Sequence, residues 1–200
     1  MYNNFGDFMD IVFASNNKHK ISEYKKIIKN YNILTLNDVG FNEDIVEDGK
    51  DFYENALIKA KTVYEFLKSR GLDYIVIAED GGLCVDALNG EPGIYSARYS
   101  GVHGDDSANR NKLLSKLEGL DRSAYFMCVI AMIKDDNVSY YTGKTYGSIV
   151  LEETGDTSFG YDCLFYSNDL NKVFGLCTHE EKNSVSHRGR AIKEMVKDLW

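Results

Sequence analysis

Short apolar runs alternate with stretches of helical periodicity along most of the 200 residues, and this alternation is the first guide to the fold. Ile11-Val12-Phe13-Ala14 predicts a strand. After the polar Ser15-Asn16-Asn17-Lys18-His19-Lys20, residues Ile21, Tyr24, Ile27, Ile28 and Tyr31 share one face of a predicted helix. A second strand is predicted over 32–36 and an acidic loop over 37–50. Asp51 can cap a long helix whose inner face carries Phe52, Ala56, Ala60, Val63 and Leu67, and Arg70 and Gly71 supply its stop signal. Residues 74–78 read as a buried strand that ends at Glu79, Asp80, Gly81 and Gly82. This β–α–β–α–β order predicts an α/β core with parallel strands.

The second half changes rhythm. A helix is predicted over 107–117, then a strand over 124–134, a turn at Asp135-Asp136-Asn137, and strands over 138–141 and 148–151. A short strand over 163–166 precedes a last helix over about 186–199, with Ala191, Ile192, Met195, Val196 and Leu199 facing inward. No repeat, low-complexity tract or linker divides the chain, which predicts one mixed α/β unit over 1–200 with two lobes.

Composition narrows the class. At 44% hydrophobic and 27% charged, the chain has the make-up of a soluble globular protein. No apolar run approaches the roughly 20 residues that cross a bilayer. The start, MYNNFGDFMD, has no basic region followed by an apolar core, which predicts no secretory signal and a cytoplasmic location. Cys84, Cys128, Cys163 and Cys177 form no CxxC pair, and three lie in strand-like runs, so buried reduced thiols are expected. The net charge of −8 argues against a nucleic-acid backbone as partner. A local cluster of lysine and arginine can still hold a small anion in a cleft.

Five blocks carry candidate chemistry. Glu79 and Asp80, side by side at a strand end, would repel each other unless a cation or a proton sat between them, and Mg²⁺ suits such hard donors; an ordinary acidic turn fits the same residues. The loop SNNKHK joins a strand to a helix N-terminus, where backbone N–H groups and the helix dipole favour phosphate, with Lys18 and Lys20 adding charge. It lacks the Walker pattern. Carboxylates at Glu47 and Glu54 could join a metal site, although Asp51 and Glu54 also have capping-box spacing. In Ser158-Phe159-Gly160-Tyr161-Asp162, either aromatic could stack on a base, with Gly160 allowing close approach and Asp162 accepting hydrogen bonds; a simple turn fits the same residues. Finally, Ser186 would cap the last helix and place His187 and Arg188 in its first turn, where cations oppose the dipole unless an acceptor-rich ligand faces them together with Lys182.

Taken in order, these blocks resemble the inosine triphosphate pyrophosphatase family. A T/S-x-N-x-x-K loop is matched by Ser15, Asn17 and Lys20. An ExG…F-x-ENA-x-x-KA segment is matched by Glu47, Gly49, Phe52, Glu54, Asn55, Ala56, Lys59 and Ala60. The D-D-S-G-L-x-V-D-A-L-x-G-x-P-G-x-Y-S-A-R-Y segment is matched almost throughout from Asp80 to Tyr99, F-G-Y-D by 159–162, and E-K-x-x-x-S-H-R by 181–188. Glu79 stands where the family has Asp, Gly81 where it has Ser, and Cys163 where it often has Pro. Gly81 removes a hydroxyl and leaves only its backbone N–H to serve.

The resemblance implies an elongated mixed β-sheet with flanking helices and two lobes enclosing a nucleotide-binding cleft. It implies an acid-anhydride hydrolase that cuts ITP, dITP and XTP to the monophosphate and pyrophosphate with Mg²⁺, working as a homodimer without nucleic acid or membrane. Asp80 would be general base and metal ligand, with Glu79 beside it and either Glu47 or Glu54 completing the metal site. Lys20, with Ser15, Asn16, Asn17, Lys18, His19 and Gly81, would hold the phosphates. Phe159, Gly160, Tyr161, Asp162, Lys182, His187 and Arg188 would read the base, a cationic donor favouring the 6-oxygen of hypoxanthine and xanthine over the amino group of adenine. The alternatives are a related pyrophosphatase for other altered or pyrimidine nucleotides, and a catalytically weak nucleotide-binding protein.

Overall fold

A computed structural model describes residues 9–199; the N-terminal stretch read above for a secretory signal lies outside them up to residue 8. The strands are β1 (Met9–Phe13), β2 (Tyr31–Leu34), β3 (Ile75–Val85), β4 (Ser123–Lys134), β5 (Asn137–Ile149), β6 (Phe165–Ser167) and β7 (Lys172–Val173). The helices are α1 (Lys18–Ile27), α2 (Phe52–Lys68), α3 (Asp106–Lys116), α4 (His179–Val185) and α5 (His187–Lys197). Among the described residues, no helix is long and apolar enough to cross a membrane.

The strands form one sheet in the order β2-β1-β3-β4-β5-β6-β7. The pairings β1–β2 and β1–β3 are parallel, and every pairing from β3 onward is antiparallel. The predicted mixed sheet with flanking helices is therefore present. Its two faces carry different cores. One face buries Ile11, Phe13, Ile75 and Ile77 against Tyr24 and Ile28 near α1 and against Ala191, Ile192 and Met195 of α5. The other buries Val12, Val76 and Ala78 against Ala56, Ala60, Val63 and Leu67 of α2. A third cluster joins Leu83 and Val85 of β3 to Leu113 of α3 and Phe165 of β6.

Several boundaries differ from the pattern reading. Tyr31 opens β2 rather than extending α1, which is capped at Ile28. The strand expected to stop at Ala78 runs on to Val85, because β4 continues to pair with it from Val76 to Val85. The two strands expected over 138–141 and 148–151 are one, β5. Gly143, within β5, marks a close approach: a Cβ there would stand 2.0 Å from the carbonyl oxygen of His187 in α5. Helix α4 was not anticipated, although Thr178 and Glu181 form a full capping box.

Candidate active site

The site opens where the parallel pairing of β3 ends. Strand β1 pairs with β3 only through Phe13 and Ile77, and the last bond runs from the Ala14 N–H to the Ile77 carbonyl at 2.8 Å. Beyond that point β1 gives way to the loop entering α1, and Glu79 and Asp80 border a cleft of about 600 Å³. The acids thus lie at the end of the parallel sheet, as switch-point logic requires, but in the middle of a strand.

Their position within the strand overturns the shared-cation expectation. Successive side chains of a strand point to opposite faces. Glu79 follows Ile75 and Ile77 to the face of α1 and α5, whereas Asp80 follows Val76 and Ala78 to the face of α2. The Glu79 carboxylate accepts from Arg188 Nε at 2.8 Å and from Nη2 at 2.8 Å, and Lys20 Nζ lies 3.1 Å away. Burial works against its charge, but Arg188 and Lys20 outweigh it and hold the carboxyl well below the usual range. Lys20 is pulled down by burial and up by Glu79, with a net rise. The Glu79 side chain is fully buried and its oxygens are taken by these cations, so it is not part of a metal site with Asp80.

Asp80 has a separate set of partners. Asn55 Nδ2 donates to Oδ2 at 3.0 Å, the Gly81 N–H donates to Oδ1 at 2.9 Å, and Lys59 Nζ lies 3.8 Å from Oδ1. The Gly81 N–H expected for phosphate is thus taken by Asp80. Burial raises the Asp80 carboxyl above its ordinary value, against the pull of Lys59 and Lys20. Glu47 is ion-paired to Lys59 and lines the cleft. Glu54 is absent from that lining; its carboxylate accepts the Lys50 N–H at 2.8 Å, while Asp51 caps the helix by accepting the Glu54 N–H at 2.9 Å. The spacing of Asp51 and Glu54 therefore serves the helix start.

Ser15, Asn16, Asn17, His19 and Lys20 line the cleft, whereas Lys18 faces a separate shallow groove with Lys25 and Lys26. The Asn17 side chain caps α1, accepting from the N–H groups of His19 at 3.0 Å and Lys20 at 3.1 Å. Across the opening, the rings of His19 and Phe159 stack with centroids 4.8 Å apart. Phe159 is the half-buried aromatic of its block; Tyr161 is buried, with its hydroxyl donating to the Ser96 carbonyl at 2.9 Å. Helix α3 secures this loop: Asp106 accepts the Gly160 N–H at 2.7 Å, and Arg110 joins Glu153 at 2.6 Å to the Gly160 carbonyl at 2.9 Å.

Beneath the cleft runs an alternating chain of buried charges. Arg188 bonds Glu79 on one side and, through Nη1, Glu23 Oε2 at 2.6 Å on the other. Glu23 Oε1 lies 3.4 Å from Lys182 Nζ, which bonds Asp162 Oδ2 at 2.5 Å. Lys182 is buried below the Phe159 ring, 5.3 Å from its centroid. Burial raises the Asp162 carboxyl, with Lys182 opposing, while Glu23 resists its burial through Arg188 and Lys182 and ends lowered. His187, expected as a cation, is held neutral: burial, Arg188 and Lys182 drive its pKa well down, and its ring stacks on Phe126 at 4.8 Å. Its Nδ1 is buried without a protein partner. Glu23, Asn55 and Lys59 are the members of this arrangement that the pattern reading did not assign. A carboxylate three residues after Lys20, on the inner face of an amphipathic helix, was the available signal for Glu23.

Comparison with known proteins decides the lineage. The sequence profile of the Ham1 family matches residues 11–198. The chain belongs to the Ham1 family. Within and around it, the chain is similar to a Clostridium perfringens protein named dITP/XTP pyrophosphatase, 47% identical over 94% of this chain and 96% of the relative. A Clostridium tetani protein of the same name is 41% identical over 94% and 95%. Among solved structures, the Staphylococcus aureus Ham1 protein superposes with a TM-score of 0.83 at 41% identity, covering 95% of this chain and 97% of that one. A Coxiella burnetii HAM1 protein gives 0.85 at 34% identity, covering 96% and 98%. The family resemblance read from the five motif blocks is therefore correct, and the Ham1 sheet is the mixed sheet expected.

Proposed function

We propose that this chain hydrolyses the nonstandard purine nucleotides ITP, dITP and XTP to the monophosphate and pyrophosphate. The observation that carries the reading is the cleft lined both by Asp80, Glu47 and Lys20 and by Phe159 and Asp162, with the buried Lys182 paired to Asp162 behind it. Relatives named dITP/XTP pyrophosphatase at up to 47% identity support the substrate class. The base stacks on Phe159, and the Lys182–Asp162 pair and the partnerless, neutral His187 supply its polar contacts. The triphosphate extends past Ser15, Asn16 and Asn17 to Lys20. Asp80, raised by burial, takes the proton of the water that attacks the α-phosphorus, and pyrophosphate leaves in one step.

Glu47 and Asp80 fit a divalent cation such as Mg²⁺ in charge and donor type, since both converge on one ammonium and Mg²⁺ uses one or two carboxylates plus substrate phosphates. When bound, the ion neutralises charge on the phosphates. By family resemblance the working form is a cytoplasmic homodimer, tested by light scattering at twice the mass of one chain. Incubating the purified protein with Mg²⁺ and a panel of ITP, XTP, dITP, GTP, ATP, UTP and dTTP tests the reaction. ITP should yield IMP and pyrophosphate. Release of IDP and orthophosphate, or a preference for pyrimidine nucleotides, overturns the reading.

A further inference from the structure

Glu47 and Asp80 already share a cation, and it belongs to the chain. Lys59, two turns into α2, pairs its Nζ with Glu47 and lies 3.8 Å from Asp80 Oδ1, and its side chain is only 11% exposed. Asp80 also accepts from Asn55 Nδ2 and from the Gly81 N–H, one bond on each oxygen. Two carboxylates and one ammonium leave a formal charge of −1, and Lys20 lines the same cleft. Lys20 is itself paired with Glu79, so a divalent ion arriving alone would chiefly face the Lys59 ammonium between its two carboxylates, in a partly water-excluded pocket where like charges repel strongly. A triphosphate reverses that balance, because it brings several negative charges and oxygen ligands of its own.

We propose that Lys59 holds the place of the metal in the free protein, so that the divalent cation binds together with the nucleotide rather than ahead of it. This rests on the reading of the cleft given above, and goes beyond it in assigning Lys59 a role and the two ligands an order. A merely structural Lys59–Glu47 pair predicts the opposite result on removal, since the freed carboxylates would lose their organisation and bind metal no better.

Manganese binding to the full chain, followed by electron paramagnetic resonance without nucleotide, tests it. Lys59→Met and Lys59→Gln should each bind Mn²⁺ at least tenfold more tightly than the unaltered protein, and Lys59→Arg, which keeps the charge, should not. Adding Glu47→Gln to Lys59→Met should cancel the gain. A second measurement needs no variant: α,β-methylene ITP should tighten Mn²⁺ binding to the unaltered protein at least tenfold. Equal Mn²⁺ affinity with and without Lys59, equal gains for Met and Arg, or equal affinity with and without the nucleotide analogue overturns the proposal. A protein that shows the Lys59 effect yet leaves ITP intact would sink the proposed reaction instead, so the two failures are separable.

Discussion

At position 80 the fold places an acid where it can act as a base, and at position 81 it permits no side chain. Asp80 is raised by burial while Asn55 and Lys59 keep it oriented toward the cleft. Asp80→Asn keeps the size but cannot accept the proton; it should lower kcat with ITP by about 10²-fold or more while the thermal unfolding temperature stays close to that of the parent. Near-normal turnover would remove Asp80 from the mechanism. Gly81 was read as a lost hydroxyl. In the structure a Cβ at this position would stand 2.4 Å from the Met127 carbonyl oxygen of β4, and 3.0 Å from the Cα of Cys128. Backbone on a central strand yields little, so Gly81→Ser should destabilise the protein by about 1–3 kcal/mol in urea titration. Unchanged stability would mean the strand pair gives way more easily than its geometry implies.

Among the elements, α3 has the least obvious part. It touches no reacting atom, yet Asp106 and Arg110 hold Gly160 from both its N–H and its carbonyl, and so fix the Phe159 ring over the cleft. Arg110 reaches Glu153 and Gly160 at once through its fork, a geometry that lysine lacks. Arg110→Lys should therefore raise KM for ITP roughly tenfold, the equivalent of about 1.4 kcal/mol, with a smaller change in kcat. Steady-state kinetics across ITP concentrations decides this; a KM within twofold of the parent would show that the loop holds itself. Helix α5 works differently. Its Ser186 cap accepts the Gly189 N–H at 3.0 Å, which sets the phase that turns Arg188 onto Glu79 and lays His187 against Phe126.

Over the whole molecule, six alternating charges link the two ends of the cleft: Lys20, Glu79, Arg188, Glu23, Lys182 and Asp162. They balance formally to zero, which is how a protein with net charge −8 keeps a neutral buried network beneath a site for a polyanion. Glu79 of this network and the neighbouring buried His187 shape an acid-side stability profile. His187 is depressed well below its ordinary value of 6.5, so its contribution is complete above about pH 6.5 and is lost as pH falls toward the folded value. Glu79, depressed well below 4.5, contributes fully above that pH and loses its share at still lower pH. Unfolding temperatures should therefore begin to fall below about pH 6.5, and His187→Gln should flatten the curve between there and about pH 5. An identical slope in parent and variant would assign that loss to other groups.

Much of the fold is legible in the sequence alone. The apolar periodicities placed β1, α1, α2, β4 and α5 within a few residues, because each buries a face whose spacing is a local property of the chain. The motif order carried the family, since residue types and separations are themselves sequence facts. What tertiary structure decided was direction and company. Glu79 and Asp80 are neighbours in the chain, but only the continuation of β3 along β4 sends them to opposite faces, one to Arg188 from 109 residues away and the other to Lys59 and Asn55. Glu23 meets Arg188 across 165 residues, a pairing no local pattern encodes. Gly81 reads from sequence as a missing hydroxyl, whereas the structure shows backbone that crowds the position. Periodicity fixes which side of an element is apolar, while the partner of a buried charge depends on long-range packing that local sequence does not contain.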